Sequence, residues 1–342
     1  MIRVWFNHWF STSYRLIELM KENEGEQVWV VGTNKQRNSV IQNVCDEWYD
    51  EPVTDGDAYV EDCLEFCREH EIDVFVPRRK MLDISRNRDR FREIGVRVMA
   101  EDYSRLELLA DKARTYDLFR AQEGLAIPEY RIVSTAEAFR QAYQELRLQY
   151  SQVCVKFVLD EGGMSFRKIS EEEDPHRLLK IYAGNSVPMN RYLEWLRAVE
   201  PFDPLMVMPY LPGKEISVDC LDTSSGLIAV PRYKGSARHE EIIYEEQILR
   251  MVDRIMETAR LEFPCNIQFK MKEDVPYLLE INTRMSGGLQ MSCLATGVNI
   301  PNIALNKLLG KEIPWHFVRE NKIVSYIELP RIIRDSIGTP FL

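Results

Sequence analysis

The chain has 342 residues, long enough for two or three compact units, with 45% hydrophobic and 29% charged residues, the make-up of an ordinary globular protein. Its formal net charge of -10 argues against nonspecific binding to nucleic acid or to an anionic membrane. Apolar runs fall well short of the roughly 20 residues of a spanning helix, and MIRVWFNHWF at the start lacks a small-residue cleavage site, so it reads as a first strand. The seven cysteines are scattered through apolar runs without a zinc-ligand pattern, as expected of free thiols in a reducing cytoplasm.

Residues 1 to about 103 alternate strand-like and helix-like stretches. IRVWF, QVWVVGT, DVFVP and VRVMA are strand candidates. YRLIELMKENEG, ending near Gly25, YVEDCLEFCREHEI and LDISRNRDRFREIG are helix candidates. Such alternation predicts a parallel, doubly wound sheet. FNHWFSTSY follows the first strand, so the chain has neither GxGxxG nor Walker A there. Its Asn7, His8, Ser11 and Ser13 stand where open parallel sheets bind ligands, whereas Trp5, Trp9 and Phe10 read as packing. Arg86, Arg88, Arg90 and Arg92, at a spacing of two on a helix and mixed with Asp89 and Glu93, read as a solvated surface.

One helix is predicted through SRLELLADKARTYDLFRAQEG, stopped by Gly124, and another through TAEAFRQAYQELRLQ, capped by Ser134. QVCVKFVL, the turn DEGGMS and FRKIS then form two antiparallel strands, and MVMPYL opens a further strand-rich unit that runs to the end of the chain. The segment 184–204 reads as an insertion near a site.

The chemistry concentrates in alternating polar residues. In NIQFKMKEDVPYLLEIN, read as a hairpin with a three-residue turn Glu273-Asp274-Val275, Asn266 and Gln268 share a face with Glu280 and Asn282, and Arg284 continues the series. Carbonyl and carboxylate oxygens suit Mg²⁺ shared with phosphate, and an arginine suits a phosphoryl group or an oxyanion. A solvated sheet face is the competing reading. Lys156 stands in an apolar strand, where burial is costly unless an anion meets it, although an edge-strand lysine can also reach water. Gly162 and Gly163 let backbone N–H groups approach a phosphate, or simply form a hairpin turn. Lys214 and Glu215 follow the Pro-Gly turn after MVMPYL. Arg232, Lys234 and Arg238 in VPRYKGSARHEE are either contacts to the substrate or a basic loop.

Taken in order, Asp111-Lys112, Val155-Lys156, DEGGMSFRKI, MPYLPGKEISVD, VPRYKGSAR, NIQF and LLEINTRMSGG resemble the ATP-grasp superfamily over nearly the whole chain, with a likeness to the carbamoyl-phosphate synthetase large chain and its stand-alone relatives. The resemblance implies an α/β protein: an N-terminal parallel-sheet, Rossmann-like pre-ATP-grasp domain over 1–103, followed by a two-subdomain α+β ATP-grasp fold over 104–205 and 206–342. By the same resemblance Lys112 and Lys156 hold ATP phosphates, and Gly162, Gly163 and Met164 close over them. Val207, Met208, Pro209, Tyr210 and Leu211 border adenine, and Glu215 takes the ribose hydroxyls. Gln268, Glu280 and Asn282 hold Mg²⁺ (or Mn²⁺), with Gln268 also in the nucleotide site. Arg284 stabilises the transferred phosphoryl group or the tetrahedral intermediate, and Lys156 shares the catalytic work; Arg232, from the loop reading above, is the further catalytic candidate, reaching the γ-phosphate or the carboxylate. Two departures stand out. Met208-Pro209 replace the Gln-Glu of many relatives, and Asp160-Glu161 place acid beside the phosphate loop. The implied protein is a cytoplasmic ligase, dimeric in some relatives, that activates a small carboxylate as an acyl phosphate for attack by an amine or another nucleophile. A carbamoyl-phosphate-synthetase-like kinase on bicarbonate or carbamate and a non-catalytic nucleotide-binding regulator are the alternatives.

Overall fold

The computed structural model describes residues 1–23, 26–160, 163–171, 185–235, 239–311 and 313–333. Cα packing groups the chain into two units, both discontinuous in sequence. The first comprises 1–107, 216–267 and 281–342, and the second 108–215 and 268–280, where three consecutive segments were expected.

The first unit opens with β1 (Ile2–Asn7), β2 (Val28–Asn34), β3 (Glu47–Asp50), β4 (Val74–Val76) and β5 (Arg97–Val98), in the parallel order β3-β2-β1-β4-β5. The predicted doubly wound sheet is therefore present, with β3 an additional strand that lacks a clear apolar alternation. Trp5 is fully buried and stacks on Phe75 at 4.0 Å. Complete burial of a large apolar side chain is worth about 1.5–3 kcal/mol. Asn87 divides the helix expected over LDISRNRDRFREIG into Met81–Arg86 and Arg88–Glu93. The arginines there scatter as the spacing predicts: Arg86 lies over Tyr103, Arg90 pairs with Glu61 and Arg92 with Asp89.

One apolar core in this unit joins Val4, Phe6 and Leu16 to Leu221, Ile228, Met285, Leu289 and Leu305. Asn299 Nδ2 donates to the carbonyl of Leu19 at 2.7 Å. N-terminal and C-terminal segments are thus parts of one packed body.

In the second unit the expected long helix breaks at Asp111. Its carboxylate caps Lys112–Arg120 by accepting from Arg114 N at 2.9 Å, and an N-cap residue has extended, not helical, backbone. Thr135, rather than Ser134, caps the helix Ala136–Arg147. The sheet contains β6 (Arg131–Val133), β7 (Val153–Phe157), β8 (Arg167–Ser170), β9 (Ser186–Pro188) and β10 (Leu205–Pro209), in the order β6-β10-β7-β8-β9. Segment 185–204 supplies β9 and the helix Met189–Ala198, whose Tyr192, Leu193 and Leu196 are buried against Phe139 and Leu205.

The third sheet is built from β11 (Glu215–Thr223), β12 (Gly226–Lys234), β13 (His239–Ile242), β14 (Cys265–Lys272), β15 (Val275–Asn282) and β16 (Lys322–Ser325), in the order β15-β14-β11-β12-β13-β16. The turn between β14 and β15 is Glu273-Asp274, with Glu273 at φ 54°. It is one residue shorter than expected. No helix among the described residues is long and apolar enough to cross a membrane.

Candidate nucleotide and anion site

In the second unit the candidate site is built around Lys156. Strand β7 carries it between Val155 and Phe157, and it is 5% exposed. Its ammonium donates to Tyr116 Oη and to the carbonyl of Leu279, both at 3.3 Å. Tyr116 Oη also donates to the Leu279 carbonyl, at 2.8 Å. Both bonds to the ammonium are long for N–H···O contacts. Burial lowers the Lys156 pKa from its ordinary value, while the negative charge of Glu280 acts against that. Burial and Glu280 together raise the pKa of Tyr116 above its usual range, so the phenol stays protonated as a donor.

Lys112 is the first residue of its capped helix and is also 5% exposed. Its ammonium donates to the carbonyl of Asp160 at 2.6 Å. The two lysines therefore flank the end of β7, where the glycine loop begins. Asp160 Oδ2 accepts from Ser165 N at 2.9 Å and from Ser165 Oγ at 2.5 Å, so this carboxylate is turned into its own loop. Gly163 has φ 66°, a left-handed conformation that favours glycine, and Met164 is exposed. Gly162 and Glu161 lie outside the described residues.

The predicted adenine border is the end of β10. Val207 lies between paired strands on both sides, and Tyr210 N donates to the carbonyl of Gln152 at 2.9 Å. Met208 and Leu211 are buried, Pro209 ends the strand, and Glu215, half-buried, begins β11. The turn between them is fixed on the hairpin tip: Gly213 N donates to the Met271 carbonyl at 2.9 Å, and Met271 N to the Lys214 carbonyl at 3.0 Å. A Cβ at Gly213 would lie 2.4 Å from that Met271 oxygen, so only glycine fits. Gln268 and Glu280 are both half-buried in this unit. An open cleft of about 350 Å³ elsewhere in the unit, lined by Tyr130, Tyr150 and Tyr277 with Arg120 and Arg131, contains none of the predicted residues.

The first unit holds the rest of the predicted set. Asn282 ends β15 two residues beyond Glu280, the spacing that puts alternate side chains on one strand face. Oxygen donors of this amide and carboxylate type fit Mg²⁺, which usually completes its shell with water and phosphate. Among the described residues no three His, Cys, Asp or Glu side chains gather into a metal cluster. Arg284 donates to the Met285 carbonyl at 3.2 Å and lies 5.6 Å from the ring centre of Phe10. Phe10 belongs to the loop after β1, and a Cβ at Gly287 would come within 2.9 Å of Thr12 Oγ1 in the same loop. Asn7 is buried and bonded to Tyr59 Oη and to Arg78 N, and Ser13 donates to the Phe10 carbonyl. His8 Nδ1 lies 3.1 Å from Asn34 Oδ1, and Ser11 is exposed.

Arg232 is 2% exposed. Its Nε donates to Asp219 Oδ2 at 2.9 Å, Nη1 pairs with Glu240, and Nη2 donates to Ser286 Oγ at 3.1 Å and to Ser217 Oγ at 3.3 Å. Burial works against its charge, and Asp219 and Glu240 outweigh that, so its pKa is raised. Arg238 lies outside the described residues. Three residues with structural roles here were not singled out from sequence: Tyr116, Asp219 and Ser286. Asp219 carried a signal, since Ser217 and Asp219 alternate within the apolar run of β11 as Glu280 and Asn282 do in β15.

The family model described as ATP-grasp in the biosynthetic pathway with Ter operon matches residues 201–329. The carbamoyl phosphate synthase large chain of Pseudothermotoga lettingae is 23% identical over 89% of this chain. The C-terminal section of the large chain of Methanopyrus kandleri is 24% identical over 86%. This chain spans 28% of the first of these and 53% of the second. Among solved structures, the biotin carboxylase domain dimer of Hydrogenobacter thermophilus 2-oxoglutarate carboxylase, in complex with MgADP, ADP and bicarbonate, is similar with a TM-score of 0.69 and 19% identity, covering 94% of this chain and 73% of that one.

Proposed function

We propose, on the premise that this chain carries an ATP-grasp domain related to those of carbamoyl phosphate synthase large chains, that it is an ATP- and Mg²⁺-dependent ligase. It activates a small carboxylate as an acyl phosphate and passes the acyl group to an amine or another nucleophile. The observation that carries this reading is Lys156: a 5% exposed residue whose hydrogen bonds to described residues, Tyr116 Oη and the Leu279 carbonyl, are both 3.3 Å long. A buried cation held this loosely is stabilised by an incoming polyphosphate, which supplies the strong charge-assisted bonds that Tyr116 and the Leu279 carbonyl do not.

On this reading Lys156 and Lys112 neutralise ATP phosphates at the end of β7, and the backbone around Gly163 and Met164 closes over them. The chain from Val207 to Leu211 borders the base, and Glu215 accepts from the ribose hydroxyls. Gln268, Glu280 and Asn282 would hold Mg²⁺ (Mn²⁺ as a substitute), which supplies neutralisation of charge on the β- and γ-phosphoryl oxygens. Arg284 meets the charge that spreads over the phosphoryl group and the carboxylate as the phosphate is transferred. A carboxylate is a poor electrophile until one of its oxygens leaves as phosphate, so positioning and charge neutralisation are the main work, and no histidine base is required. Bicarbonate, bound in the similar biotin carboxylase domain structure, is the first carboxylate to try. A cytoplasmic homodimer is part of the same proposal.

ADP release from MgATP, measured across a panel of carboxylates paired with amines, tests the function. Bicarbonate or one organic carboxylate should stimulate release, and Lys156→Met should lower it by about 100-fold or more, as loss of a preorganised charge contact does. No stimulation by any pair, together with undiminished nucleotide binding in Lys156→Met, would sink the proposal.

A further inference from the structure

We infer that Asp219, Arg232 and Ser286 form a positioning brace for the Asn282–Arg284 segment and do not themselves touch substrate; this rests on the reading of Arg284 as the anion clamp. Asp219 is 1% exposed and each of its oxygens accepts two bonds. Oδ1 takes Asn266 Nδ2 and Ser286 Oγ, both at 2.7 Å. Oδ2 takes Arg232 Nε at 2.9 Å and Ser292 Oγ at 2.6 Å. A carboxylate has about four lone-pair sites, so this one is filled by protein. Arg232 is similarly committed, with both Nη atoms and Nε bonded to Asp219, Glu240, Ser217 and Ser286.

The residues of this network come from four separate stretches of the unit: β11, β12, β14 and residues 286–292. Ser286 stands two residues after Arg284 and bonds both members of the buried ion pair. Gly288 lies directly on the guanidinium, since a Cβ there would be 2.2 Å from Arg232 Nη1. The backbone that leaves Arg284 is therefore fixed on its far side by directional bonds. An apolar core of equal volume gives comparable stability but leaves such a turn free to slide; a satisfied polar network specifies one placement. A clamp needs that placement, because an error of about 1 Å costs about 100-fold in rate.

Ser286→Ala removes the link and leaves the ion pair in place. Against wild type, three quantities are compared: thermal unfolding, MgADP affinity by calorimetry, and ADP release from MgATP with the carboxylate of the panel that stimulates wild type most. The expected result is a melting temperature within a few degrees, MgADP affinity within about twofold and turnover lowered about 10- to 100-fold. The crystal structure of the variant should show residues 283–288 displaced or in two conformers. Turnover within about twofold of wild type overturns the brace, as does a parallel loss of stability, MgADP affinity and turnover. Arg284→Ala separates the two ideas. If it keeps full turnover, or if wild type shows none with any carboxylate of the panel, the clamp reading fails. The crystal structure of Ser286→Ala then decides the brace by itself, and an unmoved 283–288 backbone rejects it.

Discussion

Glu101, in the first unit, is 1% exposed, and its Oε1 accepts from the backbone N–H groups of Glu262 and Phe263 at 2.8 Å each. Arg105 Nη1 is 3.7 Å from its Oε2, too far for a hydrogen bond. Burial is the largest influence and raises the carboxyl pKa from 4.5 to about 7, against the two backbone donors. The folded protein thus binds this proton more tightly than the unfolded chain does. Stability from Glu101 is fully present below pH 4.5 and is lost as pH rises through about 7. A shift of that size corresponds to about 3 kcal/mol at most. Glu101→Gln keeps the acceptor and removes the ionisation. Its melting temperature should therefore match or exceed wild type at pH 8 and vary less between pH 5 and 7. An unchanged pH profile would show that Glu101 ionises freely. Lys156 presents the opposite case, a buried cation, and a lysine inside an apolar strand was legible from sequence because burial of a charge is costly. Tyr116 was not legible: a tyrosine on a helix face reads as packing, and only its placement beside the Leu279 carbonyl gives it a role.

At the scale of elements, strand alternation was the most readable feature. The polar series of β15 and the lysine of β7 followed from side chains pointing to alternate faces. Helix ends were less readable, because a single residue decides them. Asp111 and Asn87 each divide a periodic stretch that otherwise suits one continuous helix, and a local hydrogen-bonding side chain prevails over periodicity at such points. The loop after β10 depends on another single residue. Gly213 is bonded to Met271, and an added Cβ would meet backbone oxygen, which cannot rotate away as a side-chain tip can. Gly213→Ala should destabilise the protein by about 1–3 kcal/mol in urea unfolding. If residues 207–211 border the base, it should also weaken MgADP binding. Wild-type values for both would mean that the turn and the hairpin tip are not held together in solution.

Across the whole molecule, the fold class was visible in the sequence, and the packing together of distant segments was not. Alternating strands and helices announce a parallel sheet wherever they lie, but a reading along the chain cannot see which distant segments share a core. Here residues 1–107 form one body with 216–267 and 281–342, and the second unit is completed by the excursion 268–280. The reason is visible in individual contacts. Phe6 and Leu16 lie in the same core as Ile228, Leu289 and Leu305, and Lys311 pairs with Glu26 at 2.7 Å. An N-terminal domain that folds and melts independently would have left its partner with a solvated surface at these positions. Deleting residues 1–103 instead exposes the buried faces of Leu289, Ile300 and Leu305, each fully or almost fully covered in the intact chain. Each such side chain costs about 1.5–3 kcal/mol when returned to water, and three of them approach the 5–15 kcal/mol that holds a typical protein folded. The fragment 104–342 should therefore be insoluble or show no cooperative thermal transition by circular dichroism. A soluble fragment melting cooperatively within a few degrees of the full chain would show that the first 103 residues are dispensable to the core.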